Sequence, residues 1–210
     1  MKIIAISGGI ASGKNFIADI FAKYGGEIFD ADKLTHHLLI HDLDLIQQIA
    51  YHFPNAVNNH QVSRHVLGEI VFNDKNKLKI LENIIHPKIR DNYQNFISQK
   101  LSNNCKFVIL NIPLLQESGG YKYDYLVAIK CQKELRLTRF LSRSLENNLS
   151  DKKLSDVDII NLKQRFEKIY TLQLSDEERF AKADFIIDNN LDVEAVEKQV
   201  RDLVFELLKN

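Results

Sequence analysis

The stretch Gly8-Gly9-Ile10-Ala11-Ser12-Gly13-Lys14-Asn15 decides the fold of this chain. It follows the short β-branched run Lys2–Ser7, which we predict to be a buried strand. It leads into Asn15–Tyr24, where apolar residues recur at helical spacing. A strand, a glycine-rich turn ending in lysine, and then a helix form the context of a phosphate-binding loop. The sequence therefore predicts that this stretch binds the phosphates of a nucleotide.

Backbone groups of the loop carry most of the predicted chemistry. Gly8 and Gly13 permit conformations and a close approach that a Cβ atom would block. Successive N–H groups and the positive end of the helix would surround phosphate oxygens, and Lys14 would reach the β- and γ-phosphates. The residues predicted to bind the nucleotide here are Gly9, Ile10, Ala11, Ser12, Gly13, Lys14, Asn15 and Phe16. A dinucleotide-binding loop is excluded because it needs Gly-x-Gly-x-x-Gly, whereas a glycine-rich surface turn with an accidental lysine stays open.

Asn15 departs from the usual form of such a loop, in which Ser or Thr follows the lysine. That hydroxyl normally binds Mg²⁺, which prefers hard oxygen ligands in octahedral geometry. Asparagine offers a neutral carbonyl oxygen that can bind the metal directly or through water. We therefore predict Asn15 as a ligand of Mg²⁺, with metal binding weakened and phosphate binding largely intact.

The bulk composition excludes several classes of protein. The chain has 210 residues, enough for one large domain with insertions, and its 28 basic and 28 acidic side chains balance. This balance gives no global attraction to nucleic acids or anionic membranes, so we expect neither as a partner. The N-terminal apolar run is too short for a secretory signal, and no run approaches the roughly 18 residues that span a bilayer. Two cysteines without metal-like spacing suit a reducing cytosol, so we expect a cytoplasmic protein. We also expect a monomer or weak homo-oligomer with small-molecule substrates.

Strands and helices alternate along the chain. The predicted strands after the first are Glu27–Phe29, Lys106–Leu110, Tyr125–Lys130 and Phe185–Ile187. Continuous apolar runs such as "KFVIL" and "YLVAIK" are expected of central parallel strands. The pattern predicts the α/β class, with a three-layer P-loop NTPase-type fold. The predicted domains are a nucleotide-binding core at 1–32, 105–142 and 183–210, a strand-free helical insertion at 33–104, and a lid at 143–182.

Helix signals subdivide the insertion and the end of the chain. We predict helical segments at about 33–52, 63–72, 75–85 and 87–101. The last of these is predicted to begin at Pro87, because proline suits the first helical position. Two capping boxes, Ser155…Asp158 and Ser175…Glu178, predict further helix starts, and Leu191–Lys209 is predicted as the final helix.

The same residues resemble the dephospho-CoA kinase family over nearly the whole chain. The matching pieces are "GGIASGK" at 8–14, "DAD" at 30–32, "SRHVLGEIVF" at 63–72, "IIHPKIR" at 84–90, "PLLQESG" at 113–119, the Arg139/Arg143 segment and "ADFIIDN" at 183–189. Each piece is short, and their order and spacing make the set specific. The resemblance implies a P-loop core, a helical domain for the CoA substrate and a mobile lid.

The resemblance also implies a reaction, in which the γ-phosphoryl group of ATP moves to the ribose 3′-hydroxyl of dephospho-CoA. Such a transfer needs alignment, charge neutralisation and a place for the hydroxyl proton. Asp32, which matches the second aspartate of the family's "DAD", is the implied residue to orient that hydroxyl and accept its proton. The competing interpretation is that Asp32 is only the N-cap of the helix that follows.

Basic residues complete the implied site. Arg64, His86 and Arg90 match the substrate-domain motifs, where they would hold the pyrophosphate and adenosine of dephospho-CoA. His86 has a competing interpretation as an N-cap before Pro87. Arg139 and Arg143, four residues apart, are implied at the start of the lid, with Arg139 neutralising charge on the transferred group. An ordinary solvated arginine pair is the alternative for these two.

The chain departs from the family pattern in three places: Asn15 replaces Ser or Thr, Asn111 stands where an aspartate usually ends the strand, and the lid is longer. Three hypotheses follow. The first is an active dephospho-CoA kinase that uses ATP and Mg²⁺. The second is another small P-loop kinase acting on nucleosides or nucleotides. The third is a nucleotide-binding protein whose catalysis is weakened by the loss of a hydroxyl and a carboxylate near one metal.

Overall fold

A computed structural model describes residues 1–72, 74–113, 120–147 and 155–209, without the side chains of 72, 146 and 147. The motif predicted at 113–119 lies outside the described residues except for Pro113, and so does 148–154 of the polar lid segment. The chain divides into two compact units, one of Met1–Ile28 with Asn104–Asn210 and one of Phe29–Asn103. We refer to them as the loop unit and the helical unit.

The described elements follow one another in the predicted alternation. In chain order they are β1 (Lys2–Ser7), α1 (Lys14–Lys23), β2 (Glu27–Asp30), α2 (Ala31–His41), α3 (Leu43–His52), a 3₁₀ turn (Pro54–Ala56), β3 (Val57–Asn58), β4 (Gln61–Val62), α4 (Arg64–Phe72), α5 (Lys75–Ser102), β5 (Phe107–Asn111), β6 (Tyr125–Lys130), α6 (Lys133–Asn147), α7 (Asp156–Leu172), α8 (Asp176–Phe180), β7 (Phe185–Asp188) and α9 (Val193–Lys209). No helix among these is long and apolar enough to cross a bilayer.

The main sheet has the strand order β2-β5-β1-β6-β7. β1 pairs in parallel with β5 on one side and with β6 on the other, and β6 pairs in parallel with β7. All five residues of β5 are buried, which explains its unbroken apolar run, since a parallel strand covered on both faces has no solvent side. The predicted α/β class with a central parallel sheet is confirmed.

The core of the loop unit fixes α1 against the sheet. Ile17, Ile20 and Phe21 of α1 are at most 1% exposed and join one apolar cluster with β1, β5, β6 and α9. Burying each such side chain contributes about 1.5–3 kcal/mol. Since α1 directly follows the glycine-rich stretch, this packing also anchors the end of the loop.

Two capping boxes that the sequence predicts are present. The hydroxyl of Ser155 accepts the backbone N–H of Asp158 at the start of α7, and that of Ser175 accepts the N–H of Glu178 at the start of α8. In each box the acidic side chain accepts the N–H of the serine in return. Such local signals were readable because both partners lie within four consecutive residues.

The helical unit contains a hairpin that contradicts the predicted absence of strands from 33 to 104. Val57–Asn58 pairs antiparallel with Gln61–Val62. Asn59 and His60 join them with φ of 48° and 59°, as a two-residue type I′ turn requires. Asparagine and histidine adopt positive φ more readily than most residues, so the pair Asn59-His60 is the signal in the sequence for this turn.

The predicted helix start at Pro87 is wrong, because α5 runs unbroken from Lys75 to Ser102. Its N-cap is Asp74, whose carboxylate accepts the N–H groups of Asn76 and Lys77. Interior proline costs about 3 kcal/mol through a lost hydrogen bond and a clash with the preceding turn. Buried apolar residues on both sides of Pro87 offset that cost by packing into one core; they are Leu81, Ile84, Ile85, Ile89 and Tyr93.

Candidate functional site

The loop between β1 and α1 has the strained backbone of an anion-binding turn. Gly13, the N-cap of α1, has φ of 97°, and Ala11 has φ of 54°. A Cβ at Gly13 would overlap the Asn189 side chain, whose Nδ2 donates to the carbonyl of Ser12 at 2.7 Å. The turn is closed by the Ser12 N–H, which donates to the Gly9 carbonyl at 3.2 Å. Alternating signs of φ aim successive N–H groups to one side, which suits a phosphate.

Lys14 stands at the first position of α1 and folds back over the loop. Its Nζ donates to the Gly8 carbonyl at 2.7 Å and lies 3.5 Å from the Gly9 carbonyl. The N–H groups of the first turn of α1 have no acceptor one turn earlier in their own helix. The ammonium and the positive helix end therefore converge on the space that the loop surrounds.

Arg136 is a residue of this region that the sequence reasoning missed. It is 1% exposed, and its Nη2 donates to the carboxylate of Asp176 at 2.6 Å. A Cβ at Gly9 would stand 2.7 Å from Nη1 of Arg136, so the second glycine is needed for this contact. Within the described part of the chain, Nε of Arg136 and the buried hydroxyl of Ser12 have no hydrogen-bond partner. Buried polar atoms are usually satisfied, so these two are candidates to meet a ligand or water.

Gln173 also contacts the loop and was not predicted. It follows α7, and its Oε1 accepts the backbone N–H of Ile10 at 2.7 Å. An amide oxygen at this N–H takes a place where a phosphate oxygen would fit. Gly9, Arg136, Tyr170 and Gln173 line one open cavity of about 360 Å³ beside the loop. Its walls come from segments more than 100 positions apart, so spacing in the sequence gave no signal.

The two predicted lid arginines have different surroundings. Arg139 on α6 lies with Nη1 3.4 Å from the Ser12 carbonyl and Nη2 3.3 Å from the Asn189 carbonyl. Its guanidinium is therefore at the loop. Arg143, one turn further along α6, is exposed. The structure thus places Arg139 beside the nucleotide-binding loop and Arg143 on the helix surface.

Arg179 is a second buried arginine that sequence reasoning passed over. It is 2% exposed, and its Nη1 donates to the hydroxyl of Ser7, the last residue of β1, at 2.7 Å. Its Nη2 donates to the Leu174 carbonyl at 3.2 Å. Arg179 thereby joins the end of β1 to the segment that carries Gln173. A buried charge needs such partners, so we interpret Arg179 as structural.

The carboxylate of Asp188, at the end of β7, has a perturbed acidity. Partial burial raises its pKa, but hydrogen bonds from the Asn190 N–H and from Lys130 outweigh burial and hold the pKa below its usual range. Asp188 therefore stays ionised at neutral pH and positions the residues that follow β7, including Asn189.

The two residues that depart from the usual metal-binding pattern contact one another. Nδ2 of Asn111, at the end of β5, donates to Oδ1 of Asn15 at 2.9 Å. Asn111 is 3% exposed, whereas Asn15 is exposed at the start of α1. The amide oxygen of Asn15 has two lone pairs, and Asn111 takes one of them.

A magnesium ion would find a poor ligand set at this pair. The pair offers neutral amide oxygens and no negative charge, whereas Mg²⁺ in nucleotide sites is usually bound by a carboxylate together with phosphates. No group of three His, Cys, Asp or Glu side chains that could hold a metal occurs among the residues that the structure describes. At this pair, a cation accompanying a nucleotide would meet amide oxygens without a carboxylate.

The remaining predicted residues belong to the helical unit. Asp32 is exposed in the first turn of α2, and the N-cap is Asp30, so the interpretation of Asp32 as the N-cap is wrong. His86 is half-buried in the interior of α5, and its interpretation as an N-cap is also wrong. Arg90 follows His86 by four residues, so both lie on one side of α5. Arg64 begins α4, with Nη1 3.4 Å from Nδ1 of His36.

The first strand of a parallel sheet runs into this loop, and Lys14 begins the helix that follows. This arrangement defines a P-loop nucleotide-binding protein. The family described as CoaE, dephospho-CoA kinase, matches residues 2–195. The chain belongs to the dephospho-CoA kinase family, and it is accordingly an ATP-dependent kinase.

Individual relatives agree with this family. Dephospho-CoA kinase of Bartonella henselae is 37% identical over 211 residues, with 100% of each chain covered. Dephospho-CoA kinase of Fusobacterium nucleatum is 35% identical over 203 residues and 95% of each chain. Among solved structures, dephospho-CoA kinase from Campylobacter jejuni has a TM-score of 0.67 at 30% identity, covering 99% of this chain and 97% of its own. TT1252 from Thermus thermophilus has a TM-score of 0.76 at 26% identity, covering 98% and 97%.

Proposed function

We propose that this chain transfers the γ-phosphoryl group of ATP to the ribose 3′-hydroxyl of dephospho-CoA, giving coenzyme A and ADP in the last step of coenzyme A synthesis. The observation that carries the proposal is the phosphate-binding loop, with Lys14 folded over it, in a chain that matches the family over residues 2–195. The Bartonella relatives are named dephospho-CoA kinase, and they match this chain over their full length.

The loop unit would bind the triphosphate. Backbone N–H groups from Gly9 to Phe16 would donate to phosphate oxygens, and Lys14 would move from the Gly8 carbonyl onto the β- and γ-phosphates. Arg139 is supported as a second cation by its contacts with the Ser12 and Asn189 carbonyls. Because the transferred group carries its charge on three oxygens, two cations held at the loop would stabilise it in transfer. Arg143 would join them only as the α6 helix approaches the nucleotide.

The helical unit would bind the acceptor. We assign 33–104 to the dephospho-CoA domain, 143–182 to the lid, and 1–32, 105–142 and 183–210 to the nucleotide core. In the helical unit Arg64, His86 and Arg90 would bind the charged and adenosine parts of dephospho-CoA. Asp32 would orient the 3′-hydroxyl and accept its proton. The role of Asp32 is supported by the capping of α2 by Asp30, which leaves the helix without need of a cap from Asp32.

Magnesium would enter with ATP. When bound, it would neutralise part of the negative charge on the phosphates. Asn15 would be its protein contact, directly or through water, with Asn111 holding the amide in place. The neutral pair is also the observation that favours the third hypothesis, a nucleotide-binding protein with weakened catalysis.

One experiment separates these functions. Purified protein is incubated with ATP, Mg²⁺ and dephospho-CoA, ADP release is followed by a coupled assay, and the CoA product is identified by mass. A nucleoside and nucleotide panel replaces dephospho-CoA in parallel reactions, with Lys14→Ala protein as the control for contaminating kinases. We expect ADP release that depends on dephospho-CoA. Turnover only with the panel would assign another small-molecule kinase, and ATP binding without turnover at any Mg²⁺ or Mn²⁺ level would assign the binding protein.

We further propose that the protein works in the cytoplasm as a monomer or weak homo-oligomer, with small molecules and neither nucleic acid nor membrane as partners. The balanced charge of 28 basic and 28 acidic side chains supports the part of this proposal that excludes nucleic acid and anionic membranes. Light scattering during size-exclusion chromatography, with and without ATP, would measure the oligomeric state.

A further inference from the structure

The Asn15–Asn111 contact joins two neutral side chains at the end of the phosphate-binding loop. Asn15 follows the loop lysine, and Asn111 ends the strand beside β1, with Nδ2 2.9 Å from Oδ1 of Asn15. These are the two places from which P-loop proteins usually supply a hydroxyl and a carboxylate to Mg²⁺. Here both side chains are amides, they are joined to each other, and together they carry no charge.

A carboxylate at the end of such a strand has a cost when no metal is present. It lies near phosphate oxygens of the same sign, and the repulsion is strong because the surroundings are partly dry. A divalent cation between the two groups removes that repulsion, so nucleotide binding becomes dependent on metal. Asn111 is 3% exposed, so a charge at this position would be poorly screened by water.

Basic side chains lie beside the phosphate-binding loop of this chain. Nζ of Lys14 donates to the Gly8 carbonyl at 2.7 Å. Nη1 of Arg139 lies 3.4 Å from the Ser12 carbonyl and 3.5 Å from the Cys131 thiol. The nearby carboxylate of Asp176 is joined to Arg136, at 2.6 Å. Two cationic side chains, Lys14 and Arg139, therefore lie at the loop that carries the neutral pair.

We propose that the neutral Asn15–Asn111 pair makes nucleotide binding by this chain nearly independent of divalent cation. Magnesium is then needed for phosphoryl transfer and not for ATP capture. The proposal rests on the nucleotide site proposed above. Asn15 and Asn111 together would determine how strongly ATP binding depends on divalent metal.

Calorimetric titration of ATP into the full chain tests the proposal, once in excess Mg²⁺ and once in EDTA. The quantity compared is the ratio of the dissociation constant in EDTA to that in Mg²⁺. For the wild type we expect a ratio below about threefold. For Asn111→Asp we expect the ratio to rise at least about tenfold, because the metal-free constant increases.

Control variants separate charge from packing. Asn111→Ala removes the amide without adding charge, so its ratio should stay near that of the wild type. Thermal unfolding of each variant without nucleotide checks folding. Should Asn111→Asp fail to fold, Asn15→Asp adds the same charge at an exposed side chain and should raise the ratio likewise.

The outcomes distinguish this inference from the proposed function. A wild-type ratio above about tenfold overturns the inference while leaving the kinase assignment intact. The inference is also overturned if the ratio of dissociation constants is as high for Asn111→Ala as for Asn111→Asp, because the added charge is then not the cause of metal dependence. Failure of the wild type to bind ATP in either buffer overturns both the inference and the proposed nucleotide site.

Discussion

Oδ1 of Asp30 accepts the backbone N–H of Lys33 at 3.0 Å, so Asp30 is the residue that caps α2. Asp32 lies two residues later, exposed in the first helical turn. This contact assigns the capping of α2 to the first aspartate of "DAD", and the second is the one for which we propose a role in the reaction. The distinction makes a direct comparison of the two side chains informative.

We expect Asp32→Asn to lower kcat far more than it weakens ATP binding, because the amide keeps the shape but cannot accept a proton. Steady-state kinetics with dephospho-CoA and calorimetry with ATP measure the two quantities. Asp30→Asn is the matched control, since asparagine caps helices about as well as aspartate, and it should leave kcat near wild type. An unchanged kcat in Asp32→Asn would mean that no base is needed or that another group provides it.

Lys14→Ala should abolish turnover and strongly weaken ATP binding, because the loop loses the ammonium that now folds over it at 2.7 Å from the Gly8 carbonyl. Initial rates and the ATP dissociation constant are the measurements. Lys23→Ala, at the other end of α1, serves as the control and should retain activity. A rate above about a tenth of wild type in Lys14→Ala, a cost under about 1.4 kcal/mol, contradicts the assignment of the loop.

Asn15→Thr should lower the Mg²⁺ concentration that gives half-maximal activity, by several-fold, because it restores the usual hydroxyl ligand. The maximal rate at saturating Mg²⁺ should change little. Activity is measured against Mg²⁺ concentration at saturating ATP and dephospho-CoA. An Mg²⁺ curve that does not move would show that residue 15 does not contact the metal, and activity that appears only in the variant would favour the binding protein.

Gln173→Ala should tighten ATP binding by about two- to fivefold, because the Ile10 N–H is released for a phosphate oxygen. Gln173→Glu should weaken binding, since its negative charge would remain beside the phosphates. Titration of ATP into both variants measures the change. Weaker binding in Gln173→Ala would show instead that Gln173 holds the loop in its binding conformation.

Asp42 should contribute about 1 kcal/mol to stability as the N-cap of α3. The Leu45 N–H, and then Lys88, lower the pKa of Asp42 below its ordinary value. This stabilisation is therefore complete above the unfolded carboxyl pKa of about 3.9 and disappears as the pH falls through the lower folded pKa.

Urea unfolding of Asp42→Ala and of the wild type at pH 7 and below pH 4 tests this contribution. The difference between the two proteins should be present at pH 7 and shrink in acid. Asp44→Ala, which removes the more exposed carboxylate beside Lys88, should have the smaller effect. An equal difference at both pH values would show that the charge on Asp42 is not involved.

Short-range features of this protein were determined by the sequence alone. The strand Lys2–Ser7, the loop with its lysine and the helix after it are all readable from residues that are neighbours in the chain. So are both capping boxes and the apolar strands of the parallel sheet, since periodicity and backbone preference act locally. The family resemblance added the reaction, because it compared the order of motifs along the whole chain.

Only the tertiary structure decided which distant residues meet at the loop. Gln173 reaches Ile10 across 163 positions, and Asn111 reaches Asn15 across 96. These contacts depend on which strand lies beside which, and no local pattern encodes that order. Pro87 is a second case in which distant contacts decide the structure. Local preference predicts a helix start at Pro87, but burial of apolar residues on both sides of it outweighs the free-energy cost of a proline inside a helix.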